Sequence, residues 1–208
     1  MNELNSIDKL GLVLNKSWEI LISKFLNGRF ELTKEAPFQH QFANILHSVG
    51  ELHCFSRTEM FLVDLETKEK NVFGKTKFVD ITICFLENGK VTSSAAIELK
   101  FKKRSQGAED YARIDSYVDI ASLEEMKNRG YNKSYFCMIT DNSIYTKKSR
   151  EGTTGEIFSM RNDYIPKQNE VISNPKCKGR SDVEIVFSSE HTFLWENKNS
   201  WYFLSLEV

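Results

Sequence analysis

Asn88-Gly89 separates two apolar, β-rich stretches, residues 78–86 and 91–101. Asn-Gly tolerates the positive φ angles of a tight turn, so it folds the two stretches into an antiparallel hairpin. That hairpin at the centre of the chain constrains whatever packs around it. In the second strand Ile97, Leu99 and Phe101 fall on one face, and Glu98 and Lys100 share the other. An ordinary half-exposed strand would put polar groups along one whole face. Here a carboxylate and an ammonium two residues apart interrupt a strand that is otherwise apolar on both faces, beside a strand with one lone carboxylate, Asp80.

The flanks read as helical. Leu10, Leu14, Trp18, Leu21 or Ile22, and Phe25 form one apolar stripe over residues 1–30, which Asn27-Gly28 ends. A second helix over residues 33–51 buries Phe38, Phe42, Ile45, Leu46 and Val49, with Pro37 in its first turn. Residues 60–65 suggest a short strand. After the hairpin, residues 108–129 return to helical period, with Tyr111, Ile114, Val118, Ala121, Leu123 and Met126 on the apolar side. Residues 134–140 form a buried strand, residues 141–182 are turn-rich, and 183–187, 192–195 and 201–208 alternate as strands. The chain is expected to form one α/β domain over residues 1–208, with a core at about 33–140 and a β-rich extension at 141–208.

With 208 residues, 40% hydrophobic and 27% charged, the chain is long enough to bury its own core and is neither disordered nor fibrous. No run approaches the roughly 18–20 apolar residues of a membrane span, and the first residues lack the features of a signal peptide. Cys54, Cys84, Cys137 and Cys177 have no ligand spacing. Reduced, largely buried thiols in a cytoplasmic protein with no membrane association are expected. Lys and Arg number 28 against 29 Asp and Glu, so any attraction to nucleic acid must come from local patches. Signature motifs of serine hydrolases, nucleotide-binding loops, zinc proteases and EF-hands are missing from the sequence.

Register decides whether Asp80, Glu98 and Lys100 can meet. A two-residue Asn88-Gly89 loop with regular pairing would put Asp80 and Glu98 on opposite faces. A three-residue loop, Glu87-Asn88-Gly89 with Gly89 left-handed, puts Asp80 opposite Ala96 and beside Glu98 on one face. The three-residue loop is therefore expected. The two carboxylates and the Leu99 carbonyl would then offer hard oxygen ligands suited to Mg²⁺, with Mn²⁺ able to substitute. Lys100 would stand ready to orient water or to neutralise charge on a phosphoryl group.

Asp80, 17 residues, then Glu98-Leu99-Lys100 resembles the core motif of the PD-(D/E)XK nuclease superfamily. The resemblance covers about residues 33–140; Val79 stands where the motif often has Pro. It implies a restriction-endonuclease-like core, a mixed central β-sheet with a catalytic hairpin flanked by α-helices. It also implies metal-dependent cleavage of phosphodiester bonds, in DNA above RNA, by an endonuclease of restriction, defence or mobile-element type that can act as a homodimer. Asp80 and Glu98 correspond to the metal ligands and Lys100 to the catalytic lysine. Glu35 matches the acidic residue that many members carry on a preceding helix, although it also suits a first helical turn by itself.

Plainer readings exist for several groups. Asp115 and Asp119 on the helix after the hairpin are expected to be solvated, and of Gln39, His40 and Gln41 only one can face the hairpin. Lys102, Lys103 and Arg104 follow the Lys100 strand, while Lys147, Lys148 and Arg150, and Lys176 to Arg180, lie in the turn-rich region. Such runs are commonly solvated loops, yet they are also what phosphate contact requires. The alternative function is a non-catalytic nucleic-acid or protein binding module on the same fold; a purely structural protein would bind no nucleic acid.

Overall fold

The computed structural model describes residues 5–208; the part of the first expected helix on residues 1–4 lies outside them. The elements run α1 (Ser6–Leu26), α2 (Glu35–Glu51), β1 (Glu59–Val72), β2 (Lys75–Glu87), β3 (Lys90–Lys102), α3 (Glu109–Asn128), β4 (Lys133–Thr140), the short α4 (Thr154–Ile157), β5 (Ile172–Ser173), β6 (Glu184–Ile185), β7 (Trp195–Lys198) and β8 (Trp201–Glu207). The fold is α/β, a six-stranded mixed sheet in the order β1-β2-β3-β4-β8-β7 flanked by helices, with β5 and β6 as a separate pair. Among the described residues no helix is long and apolar enough to cross a membrane.

The chain divides into two compact units: residues 1–99 with 126–135, and residues 100–125 with 136–208. In the first, Asn5 caps α1 by accepting the Asp8 N–H at 2.9 Å. Trp18 of α1 packs on Phe38 and Phe42 of α2, at centroid distances of 6.1 and 5.7 Å. Phe61 of β1 meets Phe85 of β2 edge-on at 4.8 Å. Each such side chain, fully buried, contributes about 1.5–3 kcal/mol. β1 and β2 pair over a longer span than residues 60–65 and 78–86 suggest, because the added part is mostly exposed and polar and so carries no apolar alternation.

The second unit is organised around α3. Tyr117 contacts Phe158, Phe187 and Phe193, and Arg113 is buried with its guanidinium on the Ile144 and Phe158 carbonyls and the Tyr145 ring. Tyr111, expected on the apolar side, is 40% exposed and donates to the Lys178 carbonyl. The four thiols are free, and burial pushes the Cys137 thiol up to about 12.

Two outcomes test this packing. A Cβ on Gly50 of α2 would lie 2.1 Å from the Phe61 ring. Gly50→Ala should therefore lower stability by about 1–3 kcal/mol in thermal denaturation, despite the roughly 1 kcal/mol that alanine adds to helix propensity; a stabilised variant contradicts the packing. In the second unit Glu124 accepts the N–H groups of Ser188 and Ser189 and meets His191 Nε2, each at 2.8 Å. Burial pushes its pKa up, but these hydrogen bonds outweigh burial and hold it below the usual carboxylate value. Its contribution is complete above the ordinary glutamate pKa of about 4.3 and is lost as pH falls through the lower folded value. Glu124→Gln should flatten the acid side of the stability profile; an unchanged acid slope contradicts this.

Candidate functional site

The expected three-residue loop does not form. Glu87 pairs with Lys90 and Leu86 with Val91, so the turn is the two-residue Asn88-Gly89, at φ 51° and 74°. Asn itself accepts the left-handed region, and a turn with both central residues there matches the twist of the strands. The register then shifts: Phe85 pairs with Ser93, leaving Thr92 as an extra residue in β3. From there Cys84 pairs with Ser94, Thr82 with Ala96 and Ile81 with Ile97. One step further along each strand come Asp80 and Glu98, on one face. The bulge thus restores the parity that the two-residue turn alone would have reversed.

The bulge is held from both sides. Thr92 Oγ1 donates to the Phe85 carbonyl, Ser6 Oγ at the start of α1 donates to the Thr92 carbonyl, each at 3.2 Å, and Ser93 Oγ donates back to the Ser6 carbonyl at 3.0 Å.

At the far end of the hairpin, Asp80 Oδ2 accepts the Leu99 N–H at 2.6 Å. A side chain, not a ladder carbonyl, takes this N–H, so the two strands part here. Because a residue's N–H and C=O point to the same strand edge, the Leu99 carbonyl also faces β2. Glu98 is 3% exposed, and its Oε1 lies 3.1 Å from Lys77 Nζ. From α2, Gln39 Nε2 donates to the Asp80 carbonyl at 2.7 Å and to Glu66 Oε1 at 2.8 Å. Glu35 lies one turn earlier on α2, on the Gln39 face. His40 is exposed and bonded to Asn44.

In the second unit Lys100 Nζ lies 3.1 Å from Asp119 Oδ2. Asp119 is not solvated as expected; it is 8% exposed, because a buried ammonium on β3 needs a compensating carboxylate. Asp115 instead binds Arg180 through both oxygens, at 2.9 and 3.3 Å.

The same unit contains a cleft of about 920 Å³ whose lining includes Arg104, Arg113, Lys147, Lys148 and Arg150, with Glu109, Asp110 and Asp141 among them. The four cations other than Arg113 make no ion pair with described residues, unlike Lys9, Lys77, Lys100, Arg129 and Arg180. Lys102 and Lys103 are half-buried at the end of β3 and outside this lining.

No side-chain group of three or more His, Cys, Asp and Glu is gathered for a metal among the described residues. Asp80, Glu98 and the Leu99 carbonyl are hard oxygen donors of the kind that Mg²⁺ takes, one or two carboxylates with the remaining positions kept by water. Sequence reasoning missed Lys77, whose pairing leaves no pattern in the chain, and undervalued Asp119, whose position one helical turn past Asp115 gives no sign of burial. Compared with models of known protein families, with curated proteins and with solved structures, the chain has no match.

Thr92→Ala, which removes only a hydroxyl, should cost about 1 kcal/mol or less in denaturant unfolding. Deleting Thr92 slips the register and turns every later β3 side chain to the wrong face, so cooperative unfolding should disappear. A deletion variant as stable as wild type contradicts this register.

Proposed function

We propose that the chain is a Mg²⁺-dependent phosphodiesterase acting on DNA in preference to RNA, on a core like that of the PD-(D/E)XK nucleases. The observation that carries this reading is the Thr92 bulge, which sets Asp80 and Glu98 on one face with the Leu99 N–H on Asp80. Asp80, Glu98 and the Leu99 carbonyl would hold the cation, with Glu35 completing the acidic surroundings. When bound, the cation would lower the pKa of water and offset charge on a phosphoryl oxygen.

The chain's own residues do the rest. Lys100, two residues beyond Glu98 on the same face of β3, donates hydrogen bonds toward the attacking water and the developing negative charge. Asp119 holds that ammonium in place. Arg104, Lys147, Lys148 and Arg150 neutralise backbone phosphates, with Lys102 and Lys103 extending the basic stretch. Two copies, each cutting one strand, would complete a double-strand break, and a cytoplasmic setting suits the free thiols.

Supercoiled plasmid, single-stranded DNA and RNA incubated with Mg²⁺ or Mn²⁺ test the reading. Nicking that Asp80→Ala reduces at least a hundredfold is expected, with DNA cut fastest. Equal cleavage by wild type and variant contradicts it. Replacing Lys147, Lys148 and Arg150 by alanine should lower the salt dependence of binding by roughly one unit of slope for each phosphate no longer neutralised.

The Lys77 ammonium on Glu98 favours a second reading, a non-catalytic nucleic-acid or protein binding module on the same fold. It requires binding at low salt without cleavage.

A further inference from the structure

We infer that the cleft of the second unit is a binding site for a terminal phosphate, a phosphomonoester, with the Arg113 guanidinium as its floor. This rests on the nucleic-acid reading above only for the source of the ligand, the phosphorylated end of a strand.

Arg113 is 1% exposed yet lines the cleft. It donates to the Phe158 and Ile144 carbonyls, and its guanidinium lies over the Tyr145 ring, 5.1 Å from the centroid. A neutral donor could serve those carbonyls as well, so they do not account for the charge. Glu109 and Asp110 favour that charge electrostatically, but neither forms an ion pair with it. A buried cation with no paired anion is strongly unfavourable, and an incoming anion relieves it.

The guanidinium keeps an edge for such an anion. Nε donates to no acceptor among the described residues, and it is not sealed from solvent as the unbonded Ser17 and Ser134 hydroxyls are. Gly155 leaves room beside it: a Cβ there would stand 3.5 Å from Nε and 2.6 Å from Ser149 Oγ. No positive φ calls for glycine at this position, so its missing side chain matters for space. Nε–H and the adjacent Nη–H form the planar fork that takes two phosphate oxygens, and the Ser149 hydroxyl is a further donor.

Depth selects the ligand. A phosphodiester carries a sugar on both sides, which hold its oxygens away from so buried a group. A terminal phosphate has one substituent and enters end-first. Lys147, Lys148 and Arg150, exposed in the same lining and without ion pairs, are left for the phosphates that follow. Asp141 Oδ1 accepts the Arg104 N–H at 2.6 Å and Glu109 Oε1 accepts Asn142 Nδ2 at 3.2 Å. These lining carboxylates oppose a long run of phosphates and leave place for one.

The test is binding of the full chain, in EDTA at low salt, to one internally labelled single-stranded DNA. The strand carries a 5′-phosphate, a 3′-phosphate or only hydroxyl ends, with inorganic phosphate and a nucleoside monophosphate as competitors. A phosphorylated end should bind at least roughly tenfold tighter than hydroxyl ends. Arg113→Met should bring that ratio to about one with the hydroxyl-ended strand still bound, whereas a purely structural loss lowers both affinities alike. Ser149→Ala, which leaves the Arg113 contacts in place, should lower the ratio severalfold and carries the test where the methionine variant does not fold. A ratio that folded variants keep overturns the placement at Arg113. Equal binding of all three strands by wild type overturns the phosphate site while the nucleic-acid reading stands. A free phosphate or nucleotide that competes as well as the phosphorylated strand overturns the strand end as the source and keeps the phosphate site. Binding of the small phosphates without any strand overturns the nucleic-acid reading, and no binding at all overturns both.

Discussion

The register of β2 against β3 is the constraint on which the rest depends. An Asn-Gly turn in its favoured geometry would leave Asp80 and Glu98 on opposite faces, and one extra residue, Thr92, reverses that. A bulge interrupts the ladder and frees a carbonyl, which must find another donor. Ser6 supplies it from the start of α1, and Ser93 returns a bond to Ser6. The first helix is therefore tied to the irregularity that orients the hairpin. Beyond the bulge, regular pairing carries the parity to the end of the paired region, where the strands part and Asp80 replaces a ladder acceptor for Leu99.

Charge in this protein follows burial. Where a charged group is drawn into the interior it is paired: Glu98 with Lys77, Lys100 with Asp119. Such pairs repay the removal of each ion from water only when the geometry is good, and breaking one by removing a partner is far costlier than never building it. Arg113 follows a different rule, with two carbonyls and an aromatic ring around its guanidinium, and burial pulls its pKa down. The exposed cations of the cleft in the second unit are uncommitted to carboxylates of the described residues. Structural charge and available charge are thus carried by different residues.

Much of the fold is legible in the sequence because apolar periodicity reports burial directly. α1, α2, α3, the hairpin and β4 all follow stripes or runs that have few alternatives. The tips of β1 and β2 are not legible, since exposed polar strands show no alternation. The turn departs from expectation for a specific reason: the demand that Asp80 and Glu98 share a face points to the loop, whereas a bulge just beyond the turn meets it. Nothing in Val91-Thr92-Ser93 marks a bulge, because its stabilising partner, Ser6, lies far away in sequence. Lys77 and Asp119 are illegible for the same cause: an ion pair between distant residues leaves no local pattern.

The proposed activity requires Asp80 and Glu98 to hold a divalent cation jointly. Anomalous diffraction from crystals grown with Mn²⁺ tests it most directly. A manganese peak between the two carboxylates is the expected result. Ordered Asp80 and Glu98 side chains with no anomalous density between them at millimolar Mn²⁺ would contradict the metal site.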